Sequence, residues 1–536
     1  MKALTAAEMR EVERLTTERY GIPGLQLMEN AGTQFFEFLR AHTDDAAVSR
    51  AAILCGKGNN GGDGFVVARL LQEKGLKPQV YVFAEAKAVR GDAAENLARL
   101  KNSTARIQEI IDCKQWEQAR GEIAKSHVIV DALLGTGLKG KVAGLLASVI
   151  EDVNKISRNA SSLWPEAVIA VDTPSGLPSD GEPAEGPVIR ANATVTFTAP
   201  KIGQLISRDS ACCGKLHVRE IGSPAGLIEE LGKGIIRWIE PREFLPLPLV
   251  RQADSHKGKF GHALVIAGSL GKSGAAILAS RGALRSGAGL VTAAIPDVIL
   301  PIVASAQAEL MTEPLASTKF GTIAMVNGKA NRLGSLMQGK TLLAVGPGIG
   351  THKETQKFVC SLTRQADLPV ILDADGLNAF AGHARDLAKR KTKYLAVTPH
   401  PGEMARLLDV SNANVQADRL GVALKAAVAW KAHVILKGFH TILATPDGHA
   451  FVNTTGNPGM AKGGSGDVLV GILAGTVSQL GWQHWERALE LGVYLHGRAA
   501  DESLVQRAEE GLLAGEIADT FPVTYHRMLT EMRQLG

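Results

Sequence analysis

The sequence predicts an α/β protein of at least two domains, each built on a largely parallel sheet that is covered by helices. Short apolar runs alternate with helix-like segments along all 536 residues, which is typical of parallel sheets with helices packed on them. A chain of this length exceeds what one hydrophobic core supports and suggests about two to four domains. The segment 224–252 contains Pro241, Pro246 and Pro248, which interrupt regular structure and therefore favour a linker.

The predicted domain boundaries follow from that proline-rich segment. We expect a first domain over residues 1–224, a linker over 225–249 and a second domain over 250–536. The strands predicted for the first half are Ala51–Cys55, Val80–Phe83, Val128–Asp131, Val168–Asp172 and Thr194–Thr198. Those predicted for the second half are Ala263–Ala267, Leu290–Ile295, Leu342–Val345, Val370–Asp373, Tyr394–Thr398 and Val434–Leu436. Each half has its own glycine-rich turns and its own strand-end acids, so we expect a separate site in each half.

Composition restricts the classes of partner. The formal net charge of +5 is small for this length and aromatic residues make up only 5%, so nucleic acid is not an expected partner. No apolar run approaches the ~18 residues of a membrane span, and the charged N-terminus lacks the apolar core of a signal peptide. The cysteines show no metal-ligand spacing: Cys55, Cys113, Cys212, Cys213 and Cys360. We therefore expect a cytoplasmic protein with reduced thiols, for which acidic small molecules remain as partners. A homo-oligomer is also expected, although the sequence does not reveal the oligomeric state.

A glycine-rich loop follows the first predicted strand. Gly56, Gly58 and Gly61 fit the pattern G-x-G-x-x-G, and the apolar run 65–71 after them can begin a helix. Such glycines let the backbone approach a pyrophosphate at a helix N-terminus, and Glu85 stands about 20 residues further on, as in a Rossmann-like fold. The loop also carries side-chain oxygens that suit a cation or a polar ring, from Asn59, Asn60 and Asp63.

Two further predicted strands of the first half end in an acid. Asp131 precedes the turn 132–137, and Asp172 precedes Thr173-Pro174-Ser175-Gly176. Because ligands gather at the carboxyl ends of parallel strands, Asn60, Asp131 and Ser175 are expected to offer oxygens to one hard cation from three neighbouring loops. The alternative for either acid alone is that it caps a helix or a turn. The three residues together favour a site.

These segments of the first half resemble the motifs of the NAD(P)H-hydrate epimerase family, over about residues 1–222. The resemblance implies that Asn60, Asp131 and Ser175 bind potassium and that Asp172 is the acid–base residue at the substrate ring. Lys201 is a further candidate for the same chemistry. The resemblance also implies that the hydrated nucleotide contacts Asn59, Asn60, Gly61, Gly62 and Asp63, and Gly135, Thr136, Gly137, Leu138, Lys139, Gly140 and Lys141.

The most informative segment of the second half is Asn457–Asp467, a glycine-rich turn that leads into the apolar run Val468–Ala474. That run predicts a helix, so the turn places backbone N–H groups at a helix N-terminus, where they can hold an anion. A carboxylate at Asp467 would repel a bound phosphate, and its useful role is to accept a proton from a hydroxyl that attacks phosphorus. The alternative is a capped helix start, which does not need so many glycines.

Other turns of the second half also follow predicted strands. Gly346–Gly350 can bring the backbone close to a ligand, and Asp373–Asn378 places two acids at a strand end. The proline after His400 favours an extended conformation that presents the histidine ring outward, for a functional or a structural role. Lys437–Thr441 supplies a cation and a hydroxyl for phosphate oxygens. The segment 268–273 is not a Walker A loop, because its glycines are too close together.

These motifs are similar to those of the ADP-dependent NAD(P)H-hydrate dehydratase family, which has a ribokinase-like α/β fold, over about residues 250–530. The Gly-Ser-Gly-Asp turn alone is shared with sugar and vitamin kinases, but its combination with Gly346–Gly350 and His400–Glu403 is more restrictive. The resemblance implies nucleotide contacts from Lys437, Gly438, Phe439, His440 and Thr441, and from Asn457, Pro458, Gly459, Met460, Ala461, Lys462, Gly463, Gly464, Ser465 and Gly466. It implies substrate contacts from Gly350, His400, Pro401, Gly402, Glu403, Met404, Ala405, Arg406 and Asp467.

Together the two resemblances imply repair of nicotinamide nucleotides that have added water. The first half would interconvert the R and S epimers of NADHX and NADPHX at C6, and the second would dehydrate the S epimer with ADP and Mg²⁺, giving AMP and phosphate. The candidate catalytic residues are Asp172, Lys201 and Asp467. Two alternatives stay open: a ribokinase-like small-molecule kinase in the second half, and a non-catalytic nucleotide-binding regulatory module in the first. The sequence does not decide between ADP and ATP.

Overall fold

The computed structural model describes residues 1–103, 105–138, 140–159 and 167–535 and divides the chain into two compact units. The first unit is Met1–Ile236 and the second is Arg237–Gly536. The division falls inside the segment 225–249, which contains a helix, a short strand and a 3-10 turn. Both units have the α/β architecture that the alternating pattern of the sequence predicts.

The first unit is built on one seven-stranded sheet. Its strands are β1 (Ala51–Cys55), β2 (Gln79–Val82), β3 (Arg106–Glu109), β4 (Val128–Ala132), β5 (Ala167–Val171), β6 (Ala193–Phe197) and β7 (Lys215–Arg219). Its helices are α1 (Ala6–Tyr20), α2 (Gly24–His42), α3 (Asp45–Val48), α4 (Asn59–Glu73), α5 (Gly91–Lys101), α6 (Cys113–Ile123), α7 (Gly144–Asn159), α8 (Ile202–Ile206) and α9 (Ala225–Leu231). The strand order is β3-β2-β1-β4-β5-β6-β7, with neighbouring strands parallel. The order therefore reverses between β1 and β4, and such a switch point is where open α/β sheets bind ligands.

The second unit is built on a ten-stranded sheet. Its strands are β8 (Ile236–Trp238), β9 (His262–Ile266), β10 (Leu290–Pro296), β11 (Met311–Leu315), β12 (Leu342–Val345), β13 (Val370–Leu372), β14 (Leu395–Val397), β15 (His433–Leu436), β16 (Thr441–Ala444) and β17 (Ala450–Asn453). Its helices are α10 (Ser273–Arg285), α11 (Leu300–Ala304), α12 (Ala330–Met337), α13 (Lys353–Gln365), α14 (Ala374–Asn378), α15 (Pro401–Leu408), α16 (Asn412–Ala417), α17 (Arg419–Trp430), α18 (Ser465–Leu480), α19 (Trp485–Ser503) and α20 (Ala514–Leu535). The order is β11-β10-β9-β12-β13-β14-β15-β16-β17-β8, parallel from β11 to β15 and antiparallel across β15, β16 and β17.

Both faces of each sheet are covered by helices, and this burial explains why the sequence located most strands. In β9, Ala263 and Val265 join one hydrophobic core while Leu264 and Ile266 join another on the opposite face. A strand buried on both faces is a continuous apolar run, which stands out in the sequence. Within the described residues, no helix has the length and hydropathy of a membrane span.

The strands outside the predicted set are β3, β7, β8, β11, β16 and β17. β3 and β11 lie at edges of the two sheets, are largely exposed and carry polar residues, and β11 also contains Pro314. Edge strands need no apolar side chains on both faces, so the apolar-run pattern does not detect them. β16 and β17 form an antiparallel pair of four-residue strands without an intervening helix, which departs from the alternating pattern.

Helix α18 packs so closely against α10 that Gly471 has no room for a side chain. A Cβ at Gly471 would lie 2.0 Å from the carbonyl oxygen of Ala279, whereas a Cβ at Gly334 in α12 would meet open space. We therefore expect Gly471→Ala to lower the free energy of unfolding of the second unit by about 1–3 kcal/mol. Gly334→Ala, the matched control, should raise it by up to about 1 kcal/mol through helix propensity. Chemical denaturation of both variants measures the difference, and equal stability of Gly471→Ala and wild type would contradict the packing.

Candidate active sites

A cavity of about 1290 Å³ opens at the carboxyl ends of β1 and β4, at the switch point of the first sheet. The residues predicted from the sequence that line it are Asn59, Asn60, Asp63, Gly135, Thr136, Gly137, Leu138, Asp172 and Lys201. Gly61 and Gly62 lie in the first turn of α4 and do not line it. Gly140 lines a neighbouring cavity of about 310 Å³, Lys141 lines neither, and Lys139 lies outside the described residues.

The glycines of the loop after β1 are required by close backbone packing. A Cβ at Gly56 would lie 1.9 Å from the carbonyl oxygen of Leu133, and one at Gly61 would lie 2.0 Å from that of Gly56. The loop can therefore pass directly into α4, which begins at Asn59. The first N–H groups of a helix have no partner within it, so this turn also offers donors to an anion.

Asn60, Asp131 and Ser175 form one connected polar group. Ser175 donates to Asp131 through its N–H (2.7 Å) and its hydroxyl (2.6 Å). Asn60 donates from Nδ2 to the carbonyl of Leu134 (3.0 Å). The N–H of Leu134 in turn donates to Ser175 Oγ (2.8 Å). Burial raises the pKa of Asp131 to about 6, and the hydrogen bonds from Ser175 act against that rise. Among the described residues, Asn60 Oδ1 is buried and has no hydrogen-bond partner, and such an oxygen beside a buried carboxyl group suits a cation.

Asp172 and Lys201 form a buried ion pair at the ends of β5 and β6. The Lys201 side chain is only 1% exposed, and its Nζ also donates to Thr196 Oγ1 (2.8 Å) and to the carbonyl of Phe197 (3.2 Å). Gln204 donates from Nε2 to the backbone carbonyl of Asp172 (2.7 Å). Lys201 is thus a fixed, desolvated cation rather than a solvated strand-end lysine. Sequence reasoning missed Thr196 and Gln204, although Gln204 follows Lys201 by three positions on the same short helix start.

Further carboxyl groups line the same cavity, among them Asp63 from α4 and Glu13 from α1. Burial, followed by the charges of Asp172 and Glu13, raises the pKa of Asp63 well above its ordinary value. Burial and the charge of Asp172 also raise the pKa of Glu13, and Lys201 acts in the opposite direction on both. The sequence singled out Asp63 and missed Glu13, because a glutamate on a charged helix is indistinguishable from a solvated one.

In the second unit, the glycine-rich turn leads directly into α18, which begins at Ser465. Gly464 has φ of 94°, and a Cβ there would also lie 2.5 Å from a leucine side chain, so the turn requires glycine. The N–H groups of Gly466 and Asp467 lie in the first turn of α18, where no intrahelical acceptor exists. His496 Nε2 lies 3.1 Å from the carbonyl of Ser465 and holds this helix start against α19. The turn can therefore bind an anion, as predicted from the sequence.

Asp467 belongs to a cluster of charged groups centred on Lys437. Lys437 Nζ lies 2.7 Å from Asp373 Oδ1 and 3.8 Å from Glu403 Oε2, and a Cβ on Gly466 would lie 3.3 Å from the same Nζ. Burial alone would lower the pKa of Lys437, but Asp373 and Glu403 outweigh it and raise the pKa. Burial and the charge of Asp373 raise the pKa of Asp467 to about 6, with Lys437 acting in the opposite direction. The sequence named these residues separately and did not predict that they meet.

His400 and Glu403 hold the start of α15. His400 Nδ1 accepts from the N–H of Gly402 (3.0 Å), and Glu403 Oε2 accepts from the N–H of His400 (2.8 Å), which makes a capping box. His400 has φ of −80° and ψ of 166°, the extended conformation predicted from the following proline, and its side chain is half exposed. Met404 and Ala405 are buried in the hydrophobic core, whereas Arg406 donates from Nε to Asn378 Oδ1 (3.0 Å). His400 therefore has a structural role at the start of α15, and its half-exposed side chain also remains accessible to a ligand.

The turn Gly346–Gly350 is fixed onto the acids that follow β13. The N–H of Gly350 donates to Asp375 Oδ2 (2.9 Å), which also lies 3.2 Å from Lys272 Nζ. Ser269 donates from Oγ to the carbonyl of Gly348 (2.7 Å). The segment 268–273, which is not a phosphate-binding Walker loop by spacing, is therefore bonded to the turn that carries Gly350.

The segments that are predicted to contact the nucleotide lie at the glycine-rich turn before α18. Phe439 is 54% exposed, and its ring stacks on that of His440 with 4.0 Å between centroids. Asn457 donates from Nδ2 to Asp501 Oδ1 (3.0 Å), and Lys462 donates from Nζ to the carbonyl of Glu510 (2.6 Å). These bonds hold the segment 457–463 in place before α18.

Comparison with known sequences agrees with the two-site arrangement. The sequence model of the NAD(P)H-hydrate dehydratase family matches residues 263–523, and that of the YjeF-related protein N-terminus matches residues 24–203. The chain is 39% identical to the bifunctional NAD(P)H-hydrate repair enzyme of Moorella thermoacetica, over 100% of this chain and 98% of that protein. It is 32% identical to the enzyme of the same description from Escherichia coli K12, over 96% of this chain and 92% of that protein. It also matches the solved structure of ADP/ATP-dependent NAD(P)H-hydrate dehydratase from Bacillus subtilis, co-crystallised with ATP and Mg²⁺, at 31% identity, covering 55% of this chain and 98% of that one, with a TM-score of 0.47.

The fold and the two sites define a fused α/β protein with an epimerase-type unit followed by a dehydratase-type unit. The chain belongs to the family of bifunctional NAD(P)H-hydrate repair enzymes. The family resemblance drawn from the motifs of both halves is therefore confirmed.

Proposed function

We infer that this chain restores hydrated NADH and NADPH in two steps at two sites. The first unit interconverts the R and S epimers at C6, and the second dehydrates the S epimer while ADP gives AMP and phosphate. This proposal rests on two separate groups of candidate catalytic residues, which occur in one chain of this family. One is the Asp172–Lys201 pair in the first cavity, and the other is Asp467 at the N-terminus of α18.

In the second unit, the chemistry addresses the poor leaving ability of hydroxide. Asp467 accepts the proton of the C6 hydroxyl as that oxygen attacks phosphorus, and N–H groups at the start of α18, among them that of Gly466, stabilise charge on the transferring phosphoryl group. The ring nitrogen then expels phosphate, and loss of a C5 proton restores the double bond. A fixed base explains why only one epimer would react.

Mg²⁺ is proposed to accompany the nucleotide, where it would neutralise phosphate charge. The residues present fit such an ion: Asp373 Oδ2 lies 3.6 Å from the Cβ position of Gly466 and therefore faces the anion-binding turn. Lys437 and Thr398 both donate to the other oxygen of Asp373, Oδ1. Asp373 thus retains one carboxylate oxygen for a hard cation.

Potassium is proposed for the first unit, on Asn60, Asp131 and Ser175, because Asn60 Oδ1 is a buried oxygen with no hydrogen-bond partner in the part of the chain that the structure describes. In a thermal melt we expect K⁺ at ten times its Kd to stabilise wild type by about 1.4 kcal/mol, a rise in Tm of a few degrees. Asn60→Ala should lose that response, and Asn59→Ala, whose side chain is exposed, should keep it. An equal response of Asn60→Ala and wild type would remove Asn60 from the cation site.

The direct test is to incubate the purified chain with both hydrate epimers, Mg²⁺ and either ADP or ATP, and to follow the absorbance of the reduced nicotinamide. Full recovery from a mixture of epimers, with release of phosphate, is the expected result. A stable phosphorylated product would instead support a small-molecule kinase. Recovery of the S fraction alone would leave the first unit without epimerase activity. Comparison of the two nucleotides decides which one the second unit prefers.

A further inference from the structure

Glu13 is a carboxyl group in the first cavity for which the proposed function has no role. It lines the cavity together with Asp63, Asp172 and Lys201. The other acids of α1 are engaged elsewhere: Glu8 completes the capping box with Thr5, while Glu11 and Glu18 pair with Arg14. Within the described part of the chain, no hydrogen bond or ion pair holds Glu13, and its exposed side chain lines the cavity.

The position of Glu13 is set by the same framework that positions Lys201. Leu4 bridges to Lys201: its N–H donates to the carbonyl of Pro200 (3.0 Å), and its carbonyl accepts from the N–H of Ile202 (3.1 Å). From this bridge the chain enters α1, where Met9 and Val12 are buried in the hydrophobic cluster that also contains Leu4. Burial of that face fixes the rotation of α1 and thereby directs the neighbouring positions, including 13, towards the cavity.

The epimerisation proposed for this cavity needs two proton-transfer groups. The C6 hydroxyl lies on a carbon bonded to the ring nitrogen. When the hydroxyl is protonated, the C6–O bond breaks, water leaves and the nitrogen lone pair forms a planar C6=N⁺ unit. A water molecule that adds to the other face and loses a proton gives the opposite epimer. One water leaves and one enters, and no oxidation or reduction occurs, so the step requires only a proton donor and a proton acceptor.

We propose that Glu13 is the second acid–base residue of this reaction, donating the proton to the departing C6 hydroxyl while Asp172 accepts a proton from the incoming water. Asp172 suits the acceptor role because Lys201 holds it in an ion pair. Glu13 suits the donor role because it lines the cavity and no basic group of the described residues is bonded to it. The inference rests on the proposed epimerase function of the first unit and adds the residue that completes it.

The charges around Glu13 agree with a proton donor. Burial and the charge of Asp172 raise its pKa, which favours the neutral acid, while Lys201 and Arg10 act in the opposite direction. Asp63 lies in the same cavity and also has a raised pKa, but its place near the start of α4 ties it to the loop that is expected to hold the nucleotide. Glu13 is on a separate element and is free to serve the reacting carbon.

The test compares Glu13→Gln with Glu11→Gln, a control two positions away whose side chain is at the surface. Starting from the pure R epimer, Glu13→Gln should lower kcat for epimer exchange at least ~100-fold with little change in KM, and Glu13→Asp should retain part of the activity. Incorporation of ¹⁸O from labelled water into the C6 hydroxyl should fall in parallel. Dehydration of the S epimer, measured on the same protein, should be unchanged in all variants.

Two outcomes would overturn the inference. Epimer exchange by Glu13→Gln at the wild-type rate would remove Glu13 from proton transfer. A raised KM with unchanged kcat would make Glu13 a binding residue only. Absence of exchange in the wild-type chain itself would instead refute the epimerase function, so the two failures are distinct. A Tm for Glu13→Gln equal to that of wild type would exclude unfolding as the cause of a lowered rate.

Discussion

Asp467→Asn will lower the kcat of dehydration by at least ~100-fold while nucleotide binding stays close to that of wild type. The substitution keeps the shape of the side chain at the N-terminus of α18 but removes its ability to accept a proton. The backbone N–H groups of the turn are unaffected, so the anion site remains. Removal of one carboxylate from the cluster also leaves Lys437 paired with Asp373 and Glu403, so the fold of the site should persist.

The measurement is a steady-state assay with the S epimer alone, together with the Kd for ADP by calorimetry. Asp254→Asn is a suitable control, because that side chain is 74% exposed in the same unit and pairs only at the surface. Near-normal kcat for Asp467→Asn would exclude it as the base. A large loss of ADP affinity would assign it to binding instead.

The pH dependence of kcat/KM is a second, independent test of the role of Asp467. The pKa of this carboxyl is raised to about 6, chiefly by burial and then by Asp373. A base must be ionised, so kcat/KM for the S epimer should be maximal above that pKa and should fall about tenfold per pH unit as the pH drops below it. Because several carboxyl groups and Lys437 are coupled here, the midpoint belongs to the cluster. A rate independent of pH from 5 to 8 would contradict a base of this kind.

Many individual groups of each site could be predicted from the sequence, whereas the contacts between them could not. Asp467, Asp172 and the glycine-rich turns stand out because their chemistry is local: a carboxylate beside an anion-binding helix start, or an acid at the end of an apolar run. The contact between Lys437 and Asp373 joins positions that are 64 residues apart and depends on which strands are neighbours. Local patterns do not contain strand order, so the cluster around Lys437 emerges only in the fold.

Lys201 and Glu13 show a second limit of prediction from sequence. Both are charged residues of a type usually found in solvent. Lys201 could be named only as a further candidate, and nothing in the sequence around Glu13 sets that residue apart. The burial of Lys201 and the place of Glu13 at the cavity follow from the bridge between Leu4 and Lys201, which brings the N-terminal segment beside the end of β6. The same limit applies to edge strands such as β3, which carry no continuous apolar run.

Both units place non-glycine residues with positive φ beside their sites. Asp172 has φ of 60° and Thr198 has φ of 67° at the ends of β5 and β6, and Ala374 has φ of 50° after β13. For a β-branched residue such as Thr198 this conformation is costly, on the order of 1–3 kcal/mol, and persists only where the surroundings impose it. Here the backbone turns sharply at the strand end, and the turn directs the carboxylates of Asp172 and Asp373 towards their lysines.

Asp172→Asn should lower the rate of epimer exchange at least ~100-fold, while dehydration of the S epimer continues at the wild-type rate. Given a mixture of epimers, ADP and Mg²⁺, the variant should recover absorbance only to the level of the S fraction, whereas wild type should recover all of it. Loss of both activities together would argue against two independent sites. Asp180→Asn, in the smaller neighbouring cavity, is a control from the same unit.

The Asp172→Asn result must be separated from unfolding, because the substitution leaves Lys201 buried and without its counter-charge. Breaking a buried pair from one side costs about 3–5 kcal/mol, so the variant should also have a lower Tm for the first unit. Adding Lys201→Met removes the unpaired charge, and we expect the double variant to regain stability and still fail to exchange epimers. Exchange restored along with stability would mean that Asp172 serves only to neutralise Lys201, and the acid–base chemistry would then belong to another carboxyl group of the cavity.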